Sequence, residues 1–251
     1  MSKAYYNENN CFVANHLRDL IQANMIAPGD VDDRSIKEVC ASDLRGYTQC
    51  HFFAGIGVWS YSLRQAGWPD DRPVWTGSCP CQPFSNAGEK KGVKDERHLW
   101  PYWFPLIRES RPVEIFGEQV ASQAIKTWFD LVSNDLEGVG YTVGAAITAA
   151  CAFGAPQPRK RLYFVGHTKR EGLSRPIYNS WVSSLTEEAQ PERSDEIFRA
   201  WRQMATSPTS IPHIDGAPLW LARELLKSYG NALCAPQAQA FIEAYLEVAK
   251  K

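Results

Sequence analysis

No apolar run in this chain approaches the roughly 18 residues that a membrane-spanning helix needs. Its opening, MSKAYYNENN, has neither the basic nor the apolar stretch of an export signal, so a cytoplasmic protein is expected. CxxC pairs are missing too. The 7 cysteines, at positions 11, 40, 50, 79, 81, 151 and 234, are odd in number, which argues against a disulfide framework and a structural zinc site. Reduced thiols and no metal are the expectation. Excess charge is also lacking: a net charge of −1 over 251 residues gives no bulk attraction for nucleic acid, so any basic face must be local. With 44% hydrophobic and 22% charged residues, disorder, collagen and coiled-coil readings are excluded. There is no internal repeat and no low-complexity tract. The length suits one sizeable α/β domain with a small embedded or appended region.

What is present is an alternation of short apolar runs and amphipathic stretches. The spacing of Phe12, Val13, His16, Leu17, Leu20 and Ile21 predicts a helix up to Ala23, closed by the turn Pro28-Gly29. A run of β-formers from Tyr47 to Phe53 ends in Gly55 and Gly57, and helical character resumes from Trp59 to Ala66. Strands are expected over 73–77, 113–117, 141–147 and 162–165, and helices over 100–109, 124–136, 219–229 and 236–249. Alternation of this kind predicts a mainly parallel α/β sheet. From His167 to His213 the texture turns polar, with scattered Trp, as in an excursion from the sheet.

Three features stand where open α/β sheets bind their ligands, at the carboxyl ends of strands, and a fourth leads into a strand. The first is Cys81 in Gly77-Ser78-Cys79-Pro80-Cys81-Gln82-Pro83-Phe84-Ser85, an address for a nucleophile, although a Cys beside Pro is equally read as a small buried hydrophobe. The second is Phe53-Ala54-Gly55-Ile56-Gly57, a Gly-rich strand-to-helix turn of the kind that lets backbone N–H groups approach a nucleotide-like ligand. Glu118 follows the apolar run 113–117, where an ordinary loop carboxylate is the alternative. Gln157-Pro158-Arg159-Lys160-Arg161 puts cations on one side of an extended chain, or else protects an edge strand.

In this order the features resemble the DNA (cytosine-5) methyltransferases of the compact phage or bacterial type. The matching residues are Phe53, Gly55 and Gly57; Pro80-Cys81-Gln82, continued to Ser85; Glu118-Gln119-Val120, with Gln where the family has Asn; Gln157, Arg159 and Arg161; and Gly230-Asn231-Ala232-Leu233. The resemblance covers roughly residues 50–166 and 215–249. It implies a Rossmann-like, S-adenosylmethionine-dependent methyltransferase sheet, shortened here, with a small target-recognition segment. It implies methyl transfer to carbon 5 of a flipped-out cytosine in double-stranded DNA through an adduct on Cys81, with Glu118 acting at N3 and Arg159 and Arg161 as catalytic partners. Phe53, Ala54, Gly55, Ile56, Gly57, Pro80, Asn231 and Ala232 are then candidate cofactor contacts. Gln82, Ser85, Lys90, Lys91, Gln157 and Lys160 are candidate DNA contacts. A cognate restriction endonuclease is a partner that the resemblance suggests.

The implied organisation is a catalytic α/β domain over 1–166, a target-recognition region over 167–213 and helices over 214–251 that return to the catalytic domain. Local charge answers the neutral total, because within 157–175 the cations Arg159, Lys160, Arg161, Lys169, Arg170 and Arg175 meet one acid, Glu171. The segment Asn86 to Arg97 reads as a closing loop or as an ordinary solvated one. Two departures bear on the cofactor. His51 and Val58 replace an acid and a Gly of the family's turn, and the connection from Gly57 to Cys81 is too short for the two acid-bearing strands other members place there. The segment from Gly29 to Tyr47 looks like that missing piece moved ahead of the turn, with Asp30, Asp32 and Asp33 as candidate acids, or it is a solvated turn capping a helix at Ser35. The competing functions are an RNA cytosine methyltransferase and a DNA-binding subunit without cofactor turnover.

Overall fold

The computed structural model describes residues 3–80, 99–122, 125–155, 159–168 and 232–249. These residues build a sheet of seven strands in the order β2-β1-β3-β4-β5-β7-β6. The strands are β1 (Ala4–Asn7), β2 (Gly29–Asp32), β3 (Gln49–Phe52), β4 (Val74–Gly77), β5 (Glu114–Val120), β6 (Thr142–Ala149) and β7 (Lys160–His167). The helices are α1 (Cys11–Gln22), α2 (Val58–Gln65), α3 (Trp100–Ser110), α4 (Ile125–Gly138) and α5 (Ala235–Ala249). The strands from β2 to β5 pair in parallel, whereas β7 is antiparallel to both β5 and β6. The expected parallel character therefore holds for the first five strands of that order. The expected helix over 219–229 and the polar segment beyond 168 lie outside the described residues.

Side-chain alternation divides the core into two layers. Tyr5, Cys50, Phe52, Trp75, Ile115 and Phe164 point to one face, where α3 and α4 cover them with Trp100, Trp103, Trp128 and Phe129. Tyr6 points to the other face and packs with Leu17 of α1. On that same face Val74, Phe116 and Tyr163 meet Trp59 and Leu63 of α2 and Ile242 of α5. Central strands of only four residues are stable here because both of their faces are buried.

Residues 4–7 and 29–32 supply two strands ahead of the glycine turn, with β1 directly beside β3 and β2 outside it. The short connection from 57 to 81 thus costs the sheet nothing. This order of elements leaves a topological mark. The β1-α1-β2 and β4-α3-β5 crossovers run in opposite directions along the sheet with their helices on opposite faces, which gives them the same hand. The β3-α2-β4 crossover runs in the direction of β4-α3-β5 but keeps its helix on the α1 face, so its hand is reversed. Right-handed crossovers make up about 98% of such units. The unit that carries the glycine turn is therefore the left-handed exception.

Candidate active site

The residues of the matched motifs that the structure describes lie along one edge of the sheet, at the carboxyl ends of β3, β4 and β5, at the antiparallel start of β7 and at Ala232, which Arg159 ties to it. On β3 the chain leaves the sheet through Phe53, Ala54, Gly55, Ile56 and Gly57, then enters α2. Phe53, Gly55 and Gly57 have φ of 52°, 53° and 75°. A side chain at Gly57 would be strained, because its φ is left-handed and a Cβ would stand 3.1 Å from both Leu17 and Ile26. Around Gly55, by contrast, a Cβ would meet only the Phe53 carbonyl oxygen, at 4.0 Å, so the turn's outer side is open.

The carboxylate that touches this turn is Glu8, which follows β1. Its Oε2 accepts from the Gly55 N–H at 2.9 Å and its Oε1 from the Asn10 N–H at 3.0 Å. Sequence reasoning passed over Glu8. The signal was two tyrosines and an Asn leading into an acid, a strand too short to show a period. The candidate acids on and after β2 are engaged elsewhere. Asp30 takes the Tyr47 hydroxyl at 2.6 Å and pairs with Lys3; Asp32 takes the Tyr5 hydroxyl at 2.7 Å and pairs with Arg34; Asp33 pairs with Arg18. Ser35 does cap a short 3₁₀ turn, through a capping box with Glu38. His51, in the position of the family's acid, is buried between sheet and helices, stacked on Tyr6 and bonded through Nδ1 to Thr76 Oγ1 at 2.8 Å. Burial pushes its pKa down to about 3, so it is a neutral packing residue.

A second cluster forms where β4, β5 and β7 end. Glu118 lies within β5, 8% exposed, with Tyr163 of β7 directly opposite. Arg161 Nε stands 2.7 Å from Glu118 Oε1. Burial raises the pKa of Glu118, and the neighbouring Arg161 and Arg159 and the Ser78 hydroxyl oppose that rise without cancelling it. Arg159 donates from Nη2 to the Ala232 carbonyl at 2.6 Å, which ties the entry to α5 into the site. Gln119, in the place of the family's Asn, uses its whole amide: Nε2 donates to the Cys79 carbonyl and Oε1 accepts from the Val120 N–H, both at 2.9 Å. That clamp fixes the Cys79-Pro80 step. Pro80 is exposed at the sheet edge and Lys160 is exposed at the start of β7. Cys81, Gln82, Ser85, Lys90, Lys91, Gln157 and Asn231 lie outside the described residues.

A buried carboxyl with a raised pKa, flanked by arginines at a strand end and preceded by a clamped Cys-Pro step, agrees with the sequence comparison. Residues 62–216, more than half of the chain, match the model of the C-5 cytosine-specific DNA methylases. The chain belongs to that family. Among curated members of this methylase family and its relatives, the type II methyltransferase M.SsoII of Shigella sonnei is 36% identical over 105 residues, or 40% of this chain and 28% of that protein. M.HpaII of Haemophilus parainfluenzae is 32% identical over 178 residues, or 65% and 45%. The chain thus spans between a quarter and a half of the length of these relatives. A crystal structure of Dnmt2 methyltransferase from S. pombe aligns with a TM-score of 0.43 and 17% identity, covering 77% of this chain and 58% of that one. The family match opens at residue 62, past β1, β2 and the glycine turn. Among the described residues, no helix is long and apolar enough to cross a membrane.

The arrangement fits the family's methyl donor. An open glycine turn at a strand's carboxyl end, with a carboxylate from the neighbouring strand beside it, is how open α/β sheets receive an adenosine ribose. If Glu8 is that carboxylate, Glu8→Gln should weaken S-adenosylmethionine binding by about 1.5 to 3 kcal/mol, the worth of hydrogen bonds to a charged group. Asp33→Ala should leave it unchanged. Calorimetric titration of both variants checks this, and equal affinities would reject Glu8.

Proposed function

We propose that the protein is a DNA (cytosine-5) methyltransferase acting on a cytosine flipped out of double-stranded DNA. The observation that carries this reading is the Glu118–Arg161 pair, buried beside the clamped segment that leads to Cys81. Carbon 5 of cytosine is a poor nucleophile, so a thiolate must first add to carbon 6 and make carbon 5 enamine-like. Cys81, immediately after the exposed Pro80, is the thiolate. As it adds, negative charge develops toward N3. A carboxyl with a raised pKa in a dry site is suited to place a proton there, and Glu118 is that acid. Arg161, whose Nε is held by Glu118 and whose Nη1 donates to the Lys160 carbonyl at 2.9 Å, keeps Nη2 for the base carbonyl O2. Arg159 orders the Ala232 segment and lends its charge to the same pocket.

S-adenosylmethionine, bound at the turn 53–57 with Glu8, supplies an electrophilic methyl group. After transfer, a base takes the carbon 5 proton, its C–H electron pair re-forms the bond between carbons 5 and 6, and the Cys81 sulfur leaves as thiolate. Reaching carbon 6 requires extrusion of the base from the stack, at a cost of a few kcal/mol. The cations Lys90, Lys91 and Lys160, with Gln82, Ser85 and Gln157, are assigned to the phosphates and the vacated stack, and residues 167–213 to target recognition. Tritium transfer from labelled S-adenosylmethionine to duplex DNA tests the reading. Label in duplex DNA is the expected result. Label in RNA alone, or in neither, overturns it.

A further inference from the structure

One hydrogen bond in the site belongs to no feature of the resemblance. Trp59 Nε1 donates to Ser78 Oγ at 3.1 Å. An indole N–H can only donate, so the Ser78 oxygen is fixed as its acceptor and the single hydroxyl proton of Ser78 is left to be donated. Ser78 follows Gly77 of β4, which pairs with Gly117 of β5, so the strand register sets Glu118 beside Ser78; Glu118 Oε1 is already taken by Arg161. Trp59 has no freedom to swing away. It is 3% exposed, its ring is stacked on Phe116 at 6.1 Å and set edge-on to Tyr163 at 5.9 Å. Phe116 lies two residues before Glu118 on the same face of β5, and Tyr163 lies directly opposite Glu118 on β7. At its other end, Trp59 is the second residue of α2, whose cap is Gly57 of the glycine turn.

We propose that Trp59 and Ser78 form a positioning relay, in which the indole orients the Ser78 hydroxyl so that its proton points at Glu118. The relay holds the carboxyl against Arg161 and ties its proton affinity to the first turn of α2, and so to the glycine turn. Its bearing on methyl transfer rests on the function proposed above, but its existence does not. The groups that face Glu118 are Arg161, Arg159 and Tyr163 from β7 and its approach, and Ser78 from the end of β4. Cys234, ahead of α5, acts on Arg159 and Tyr163.

The test is an NMR titration of protein labelled with carboxyl-13C glutamate, with the Glu118 signal assigned by its loss in Glu118→Gln. Ser78→Ala removes a donor to the ionised carboxylate, so the Glu118 midpoint should move up by roughly one pH unit, the size of a hydrogen bond to a charged group. Trp59→Phe keeps the aromatic packing and frees the hydroxyl to rotate, so the midpoint should rise by less. The double variant should titrate like Ser78→Ala alone, because the two residues act through one bond. Ser78→Thr, which keeps the hydroxyl, should titrate like the wild type. An unmoved midpoint in Ser78→Ala, or shifts that add in full in the double variant, overturns the relay. If Ser78→Ala does not fold, Trp59→Phe decides alone: its midpoint rises or the relay is wrong. The pH profile of methyl transfer is measured on the same proteins. A carboxyl midpoint that moves while the rate profile stays put leaves the relay standing and rejects Glu118 as the acid of the proposed reaction.

Discussion

Duplex DNA carrying 5-fluorocytosine should hold the wild-type chain and the Cys79→Ser variant in a complex that survives denaturing electrophoresis, and should release Cys81→Ser. The fluorine on carbon 5 cannot leave as a proton does, so the adduct at carbon 6 persists after methyl transfer. The discrimination between two thiols two residues apart is geometric. Cys79 is 3% exposed, belongs to the aromatic core under α3 and has its carbonyl held by Gln119, so its sulfur cannot reach a base at the sheet edge. At Pro80 the chain becomes exposed, and Cys81 is the next residue in sequence. Turnover of Cys81→Ser should fall by on the order of 10³-fold or more, since a neutral hydroxyl has no comparable nucleophilicity and the residues of such a site act as a unit. Trapping of Cys81→Ser, or release of Cys79→Ser, would assign the adduct elsewhere.

The second large effect is expected at Glu118. Glu118→Gln keeps the shape of the side chain and a carbonyl oxygen for Arg161 but has no proton to give. Turnover should fall by about 10² to 10⁴-fold, the usual contribution of general acid catalysis, with DNA affinity little changed. The pH dependence has a definite sign. Burial raises the Glu118 pKa, the protonated form is the acid, and so the wild-type rate should decline as pH rises through that pKa. The decline should be absent from the residual activity of Glu118→Gln. Single-turnover rates across pH, alongside DNA binding and thermal melting of the variant, check this. A turnover number equal to wild type excludes Glu118 as the proton donor.

The elements that were legible in the sequence are those with a local signature. The apolar stripe from Phe12 through Leu17 to Ile21 marked α1, and the β-formers ending in Gly55 and Gly57 marked β3 and its turn. The Arg159 and Arg161 alternation marked the start of β7, although its antiparallel direction is set by pairing with β5 and β6 and has no local sign. β1 and β2 were harder. Each has four residues, and β1 owes its place to pairing with residues 29–32 on one side and 49–52 on the other, contacts that no window along the chain contains. Glu8 was missed for the same reason. Its partner, Gly55, is 47 residues away. The Trp59–Ser78 bond spans 19 residues between a helix and a strand end, so the two side chains read separately as a core aromatic and a loop hydroxyl.

The reversed hand of β3-α2-β4 shows where this sheet can be rewired. At its lower edge three chain segments meet: the Thr48 N–H bonds the Lys3 carbonyl at 2.8 Å, and the Val74 N–H bonds the Thr48 carbonyl at 3.3 Å. A polypeptide begun near residue 46, carrying residues 3–45 as an insert between the end of α2 and β4, would keep every strand in its present slot. In that order α2 would lead to β1 instead of β4, on the face it already covers, and the crossover would take the favoured hand. The two chain orders describe one scaffold cut at different seams, so the ligand edge of this protein depends on which strands lie side by side and is indifferent to the sequence in which the ribosome delivers them.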